Sequence, residues 1–240
     1  MDTYTALSQF ISQQRDNVKG ELTIDTENRR LYHISPNPNI PVFTPREIQR
    51  TMPGEDETVK RVCTGITLID CLRGYAVTIR DYLDKKAHCA GKDEWLGGYT
   101  IYALDVEGSL RPSKVLAPIA EWSEERWLVD YLNPAQKYPA KPIGKCFIDD
   151  VYVDKGDNHQ QIETSVIVEV NTEKLVFSPF FVLKRGYYRL HVPGLEKYKE
   201  IPMDLTQITS STLSESEFNQ AKTRQASLLS YDLNFKISRW

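Results

Sequence analysis

The chain has 240 residues, of which 40% are hydrophobic and 26% charged, so it is long enough to bury a core as one large domain or as one domain with an appendage. Its net charge of -3 at pH 7 gives no field that would draw nucleic acid or an anionic membrane surface. No segment approaches the roughly 18 apolar residues of a membrane-spanning helix, and the acidic, polar start is unlike a signal peptide. We therefore expect a cytoplasmic protein with no membrane partner, and nucleic acid is disfavoured as a partner.

The cysteines follow neither a disulfide nor a zinc-binding pattern. None forms a CxxC pair, and no histidine stands at zinc-finger spacing from them. Cys63 and Cys146 lie inside apolar strand patterns, where a reduced cysteine behaves as a small hydrophobic residue. We expect buried, reduced thiols and no metal.

The first half of the chain mixes helical and strand patterns. Residues 3–14 read as a helix with Leu7, Phe10 and Ile11 on one face. Thr67 and Asp70 have capping-box spacing, which predicts a helix from about residue 68 to residue 81. Strands are predicted at residues 21–24, 30–35, 61–63, 99–106 and 126–131.

Residues 36–60 separate two of these strands. Five prolines in this stretch leave too few backbone donors for a long strand, so it is predicted to be an irregular loop. Within it, residues 54–57 (Gly-Glu-Asp-Glu) read as an exposed acidic turn. A long loop beside a strand is often functional, although it is also compatible with a simple insertion.

The second half is richer in strands. Strands are predicted at residues 146–153, 165–170, 175–183 and 186–192, and a Ser-x-x-Glu pattern at Ser214 and Glu217 opens a helix to about residue 229. The order is not a regular βαβ alternation, which favours an α+β fold with strand-rich mixed or antiparallel sheets and a few short helices. The expected division is a core over residues 1–153 and a β-rich extension with a terminal helix over residues 154–240, which need not be a separate domain.

Three groups of polar residues at strand ends are candidates for a site. His33 is either a structural residue bonded to the backbone or a donor to a ligand hydroxyl. Thr64 precedes a turn at which Thr67 is predicted to cap the next helix. Either the turn has only this capping role, or the free N–H groups at the start of the helix bind a phosphate. Glu121, Glu124 and Glu125 form either a solvated acidic turn or a site in which burial raises one pKa. Of the three, Glu125 adjoins the apolar run, and Glu124 should face the other way.

The order of these features resembles the ADP-ribosyltransferase fold, in particular its histidine-type clade. Residues 31–35 (Leu-Tyr-His-Ile-Ser) are similar to the first strand of that clade. Residues 61–64, with the helix from Thr67, match the second strand and its helix in position, and residues 125–129 look like the strand that begins with the catalytic glutamate. The resemblance covers about residues 28–153.

The resemblance implies NAD as a substrate and transfer of ADP-ribose to a macromolecular acceptor. Glu125 would then be the catalytic residue that stabilises the oxocarbenium ion, and His33, Ser35 and Thr64 would bind the cofactor together with an aromatic residue that stacks on nicotinamide. Tyr75 is our choice for that residue, with Tyr82 and Tyr99 as alternatives. The Glu-x-Glu pair of many protein-modifying members is absent.

A second hypothesis is a non-enzymatic interaction protein, such as a viral or accessory factor that binds a host or structural protein. The long proline-rich loop, the strand-rich last third and the chain end at Trp240 favour this hypothesis. The two hypotheses differ in geometry, because only the first requires His33 and Glu125 to face one pocket.

Overall fold

A computed structural model of the chain describes residues 1–48, 54–74, 99–118, 120–132, 136–154, 160–185, 198–201 and 209–223. The protein is a strand-rich α+β structure, which confirms the predicted fold class. The chain divides into two compact units, residues 1–77 with 101–143 and residues 78–100 with 144–240. The longer segment of the second unit begins at residue 144, before the boundary at residue 153 that the sequence suggested.

The first unit opens with helix α1 (Thr3–Gln14). The Asp2 carboxylate caps it by accepting a hydrogen bond from the backbone N–H of Thr5 at 2.8 Å, which satisfies one of the free donors at the helix start. Leu7 is buried, and Phe10 and Ile11 pack against the same apolar cluster. The predicted helix and its apolar face are both confirmed.

Helix α2 (Leu68–Gly74) begins as the capping box predicted. The hydroxyl oxygen of Thr67 accepts from the backbone N–H of Asp70 at 3.2 Å, and the hydroxyl donates to the Asp70 carboxylate. The rest of the predicted helix, to residue 81, lies outside the described residues. A short helix, α3 (Ala120–Ser123), follows later in the unit.

The strands of the first unit are, in chain order, β1 (Leu22–Asp25), β2 (Arg30–Ser35), β3 (Val42–Phe43), β4 (Arg61–Gly65), β5 (Tyr99–Asp105, in this unit from Ile101), β6 (Ser109–Pro112), β7 (Glu125–Val129) and β8 (Tyr138–Pro139). Six of them form a sheet in the order β1-β6-β7-β4-β2-β5, and β3 pairs with β8 in a separate ribbon. The pairs β1–β6, β6–β7, β7–β4 and β4–β2 are antiparallel.

Most strand predictions for the first unit hold, although the bounds shift by one or two residues and the short strands β6 and β8 were not predicted. Strand β7 (Glu125–Val129) was predicted at residues 126–131, so it begins one residue before the predicted start and ends two residues before the predicted end. Strand β6 was not predicted, because its four residues are too few to show an alternating pattern. In the described parts of the proline-rich stretch, the one strand is β3, with two residues, as the prolines led us to expect.

Each face of the sheet carries its own apolar cluster. The face that α1 covers, which we call the helix face, contributes Leu110, Trp127 and Val129 to a cluster with Leu7. The other face, which we call the loop face, contributes Leu31, Val62 and Leu128 to a cluster with Phe43. Because side chains of a strand alternate between faces, neighbours such as Trp127 and Leu128 belong to different clusters.

The second unit is built on antiparallel strands. They are β9 (Lys141–Asp154, in this unit from Gly144), β10 (Gln160–Val170), β11 (Glu173–Arg185), β12 (Tyr198–Ile201) and β13 (Thr209–Thr212), in the order β9-β10-β11-β12 with β13 also on β11. A helix at residues 215–223, α4, starts at the predicted capping box, in which Ser214 N–H donates to Glu217 at 2.8 Å. Phe218 of α4 packs on Phe147. The predicted strand at residues 186–192 lies outside the described residues.

Candidate functional site

His33 is held as a neutral side chain on the loop face. Its Nδ1 lies 2.8 Å from the backbone oxygen of Cys63. A carbonyl oxygen only accepts, so Nδ1 carries the proton and donates. The ring meets the edge of Phe43 with 4.6 Å between centroids. Burial lowers the pKa of His33 to about 4, and the nearby positive charge of Arg46 lowers it further. The hydrogen bond to the backbone of Cys63 acts in the opposite direction and raises the pKa. This arrangement matches the structural alternative in which the histidine bonds to the backbone.

The other proposed cofactor-binding residues also have local partners. Ser35 is buried, and its hydroxyl oxygen accepts from the backbone N–H of Asn37 at 3.2 Å, as in a turn. Thr64 is buried and donates its hydroxyl to the backbone oxygen of Arg126 at 2.8 Å. Tyr75 lies outside the described residues. Ser35 and Thr64 therefore use their hydroxyl groups to hold the chain.

Glu125 is buried on the helix face, with 7% of its surface exposed. Its Oε1 accepts a hydrogen bond from the indole Nε1 of Trp127 at 2.7 Å. Burial raises the pKa of Glu125, although hydrogen bonds from Trp127 and Cys63 and the charge of Arg61 act in the opposite direction. Burial also raises the pKa of the Cys63 thiol, and the adjacent Glu125 raises it further. Glu125 is thus a carboxyl group enclosed by its own strand and the next one.

Glu124 faces the other way, as the period of two predicted. Its carboxylate lies 3.1 Å from Arg111 and 3.3 Å from Arg126, on the face opposite Glu125. Arg126 in turn forms a short, buried ion pair with Asp25 at 2.6 Å. The acidic turn is therefore divided between the two faces of the sheet. The side chain of Glu121 lies outside what the structure describes.

The strand register separates His33 from Glu125. Gly65 of β4 pairs with Tyr32 of β2 on one side and with Glu125 of β7 on the other. Tyr32 and Glu125 therefore share a face, and His33, one residue further along, is on the opposite face. The two clusters agree with this assignment, because His33 contacts Phe43 of the loop face and Glu125 contacts Trp127 of the helix face. The single pocket that the resemblance requires is not formed by these two side chains.

Arg61 forms an ionic network that the sequence did not reveal. The side chain is fully buried on the helix face, and its guanidinium lies 4.0 Å from the centre of the Trp127 ring. It pairs with Glu55 at 3.1 Å and with Asp56 at 3.6 Å. The prediction that residues 54–57 form an exposed acidic turn is wrong for these two side chains, which are 11% and 8% exposed. The sequence signal for this network was an arginine at the first position of a strand, shortly after an acidic turn.

A concave site lies elsewhere in the first unit, and we call it the α1 cleft. Its volume is about 360 Å³, and it is lined by the start of α1, by Asp105 and Glu107, by Tyr131 and Leu132, and by residues 136–139. Sequence reasoning did not single out any of these residues, because they come from four separate stretches of the chain. Their common position appears only in the folded protein.

The α1 cleft carries charged groups of both signs. Asp105 is 81% exposed, and its ion pair with Arg30 has a long separation of 3.9 Å. Glu107 accepts from the Thr3 hydroxyl at 2.7 Å. Gln136 has a buried Oε1 atom with no hydrogen-bond partner among the described residues. Lys137 and Met1, which carries the terminal ammonium group, line the cleft as well, so its two carboxylates are matched by two positive charges.

Apolar side chains surround this polar surface. Met1 and Leu132 line the α1 cleft and are 81% and 45% exposed. Pro139 lines it as well and pairs with Val42 of β3, which is 39% exposed. The apolar surface therefore continues from the cleft onto the β3–β8 ribbon.

Comparison of the chain with protein-family models, with curated proteins and with solved structures found no match. Within the described residues, no group of three or more His, Cys, Asp or Glu side chains is arranged to hold a metal ion. In the same part of the chain, no helix combines the length and the apolar character needed to span a bilayer. Cys63 and Cys146 form no disulfide bond, and Cys146 is buried.

Proposed function

We propose that this chain is a protein-interaction module that binds a segment of a partner protein in the α1 cleft. The observation that carries the proposal is a cavity of about 360 Å³ whose lining includes the exposed apolar side chains of Met1 and Leu132. Cavities of this size accommodate ligands, and a partner that covers exposed apolar side chains gains the free energy of removing them from water.

A polypeptide segment suits this surface better than a small molecule. The exposed apolar side chains extend past the cavity to Val42 on the β3–β8 ribbon. A partner that covers both the cavity and the ribbon must be extended, and its apolar side chains would remove Leu132 and Val42 from water.

The competing function is ADP-ribosyl transfer from NAD, which the resemblance implied. That reaction needs one carboxylate and a ribose-orienting group in a common cleft. His33 and Glu125 are on opposite faces of the sheet, and each is engaged by a protein partner. For this reason we propose the interaction module in its place.

Selection of a displayed random-peptide library against the full chain tests the proposal. We expect enriched peptides whose affinity, measured by calorimetry, falls at least tenfold in Leu132→Asp. Val115→Asp is the matched control, since Val115 is an exposed apolar residue (58%) that does not line the α1 cleft, and it should leave the affinity unchanged.

Two results would contradict the proposal. The first is that no peptide is enriched, or that the enriched peptides bind Leu132→Asp as well as they bind the unaltered chain. The second is release of nicotinamide from NAD by the full chain, lost in Glu125→Gln. That result would return the function to ADP-ribosyl transfer.

A further inference from the structure

Three hydroxyl residues of the chain directly precede a proline, and the structure distinguishes between them. Ser35 is 8% exposed, and its hydroxyl oxygen accepts a backbone hydrogen bond. Ser178 lies within strand β11. Thr44, which precedes Pro45, is exposed and follows the end of β3, and within the described residues its hydroxyl has no hydrogen-bond partner. Compared with Ser35, Thr44 therefore presents an accessible hydroxyl group.

The segment around Thr44 has the alternating exposure of an extended chain. The ring of Pro45 sterically keeps the preceding residue, Thr44, in the extended region. Val42 and Arg46 are exposed like Thr44, whereas Phe43 is buried. Side chains two residues apart in an extended chain point to the same side. Thr44 and Arg46 therefore lie together on the solvent side of the segment.

The side chain of Arg46 is available to an anion. Its backbone N–H donates to the oxygen of Arg61 at 3.3 Å, and its backbone oxygen accepts from the N–H of Arg61 at 2.9 Å, which fixes the chain at this point. The exposed guanidinium forms no ion pair with any residue that the structure describes. A fixed backbone thus carries an available cation two residues from Thr44.

We propose that Thr44 is phosphorylated by a proline-directed protein kinase and that the phosphate pairs with the guanidinium of Arg46. Kinases of this class modify a serine or threonine that directly precedes proline. The γ-phosphorus of ATP forms a bond to the Thr44 oxygen, the bond to ADP breaks, and the hydroxyl proton leaves to a base of the kinase. The product carries a charge of about −1.5 to −2 at pH 7, which suits charge-assisted hydrogen bonds from arginine.

This inference goes beyond the proposed function, because Thr44 does not line the α1 cleft. Incubation of the full chain with a recombinant mitogen-activated protein kinase and ATP tests it, and mass spectrometry of the resulting peptides locates the phosphate. We expect at least tenfold more phosphate at Thr44 than at Ser35, because a kinase reaches the buried Ser35 only when its strand opens. Thr44→Val should remove this phosphate, and Thr44→Ser should retain it.

Titration of the phosphorylated chain by ³¹P NMR tests the pairing with Arg46. Because the guanidinium favours the dianion, the second acid dissociation constant of the phosphate should be roughly 1.5- to fivefold larger than in Arg46→Gln, the range of one exposed ion pair. Added salt should reduce this difference. Arg15→Gln is the matched control and should leave the constant unchanged, since Arg15 is an exposed residue at the end of α1, on the helix face, whereas Phe43 beside Thr44 belongs to the loop face.

The contrary results are equally specific. Absence of phosphate at Thr44, or as much phosphate at Ser35 as at Thr44, would show that the fold does not present Thr44 to a kinase. Equal dissociation constants in the phosphorylated chain and in its Arg46→Gln variant would remove Arg46 as the partner of the phosphate. Either result overturns the proposal, and neither bears on the α1 cleft, which the peptide selection tests separately.

Discussion

Tyr32, and not the neighbouring His33, shares a face of the sheet with Glu125. Gly65 lies between Tyr32 and Glu125 in the register, so the three residues form one row across β2, β4 and β7. His33 is on the opposite face, bonded to the backbone of Cys63. A ribose cannot contact both His33 and Glu125 through the plane of a sheet, which removes the geometric basis for the activity that the resemblance implied.

The first prediction concerns the cost of the buried charge on Glu125. Its raised pKa means that the folded protein binds a proton there more readily than the unfolded chain does. Above the unfolded pKa, near 4.5, ionisation of this group therefore opposes folding. We expect Glu125→Gln to raise the free energy of unfolding at pH 8, because the amide can still accept from Trp127 without a charge.

The pH dependence checks the sign of this effect. The advantage of Glu125→Gln over the unaltered chain should shrink as the pH falls from 8 toward 4.5, since Glu125 becomes protonated in the folded state. Urea unfolding at several pH values measures it, with the exposed Glu27→Gln as the control. An advantage that grows on acidification would contradict the prediction.

Local sequence patterns predicted the elements well and the site poorly. Helix α1, strand β2 and the capping box of α2 depend on periodicity and on residues three or four positions apart, which the sequence displays. The face that each strand presents to its neighbour depends on register, and register is set by hydrogen bonds between distant segments. The sequence therefore could not tell that His33 and Glu125 diverge.

The ionic network was missed for a related reason. Glu55 and Asp56 look solvated because they are charged and follow a glycine, and Arg61 looks like a strand end. Their burial is possible only because opposite charges meet in the fold. The α1 cleft has no local signal either, since its walls come from four separate stretches of the chain.

The second prediction uses His33 as a source of acid sensitivity. Its pKa in the folded state is about 4, against 6.5 in an unperturbed chain. Between these values the unfolded state binds more protons, so stability falls as the pH is lowered, with a slope that approaches about 1.4 kcal/mol per pH unit. His33→Asn retains a donor to Cys63 but does not titrate, and it should lose this part of the slope.

Denaturant unfolding from pH 7.5 to pH 4.5 measures the two slopes. Groups that titrate in both proteins, such as Asp25, cancel in the comparison. Identical slopes in the two proteins would show that His33 is not held neutral by the fold.

The third prediction tests the buried arginine. Arg61→Met leaves Glu55 and Asp56 without their cation in a water-poor environment, and we expect a loss of about 3–5 kcal/mol in the free energy of unfolding. Arg111→Met is the matched control, because the pair of Arg111 with Glu124 is half exposed, and its loss should stay below about 1 kcal/mol.

A rescue variant distinguishes charge from packing. Glu55→Gln and Asp56→Asn, added to Arg61→Met, remove the unpaired charges and should recover part of the lost stability. If Arg61→Met costs no more than Arg111→Met, or if the added changes destabilise it further, the network does not hold these segments together by charge pairing.

The last prediction concerns the contact between α2 and the sheet at Gly65. A Cβ atom built on Gly65 would lie 2.4 Å from the backbone nitrogen of Cys71, a distance at which the backbone of α2 must move. We expect Gly65→Ala to lower the free energy of unfolding by about 1–3 kcal/mol, the usual cost of overpacking, and to disturb Glu125, which pairs with Gly65.

Gly74→Ala, in α2 itself, is the matched control, because its Cβ would meet Ser123 at 3.6 Å, an ordinary contact. That change should be neutral or stabilising by up to about 1 kcal/mol, since alanine has a higher helix propensity than glycine. Urea unfolding of both variants and the indole signal of Trp127 in NMR measure the two effects. Equal stability of the two variants would mean that α2 does not pack on the sheet at Gly65 as closely as described.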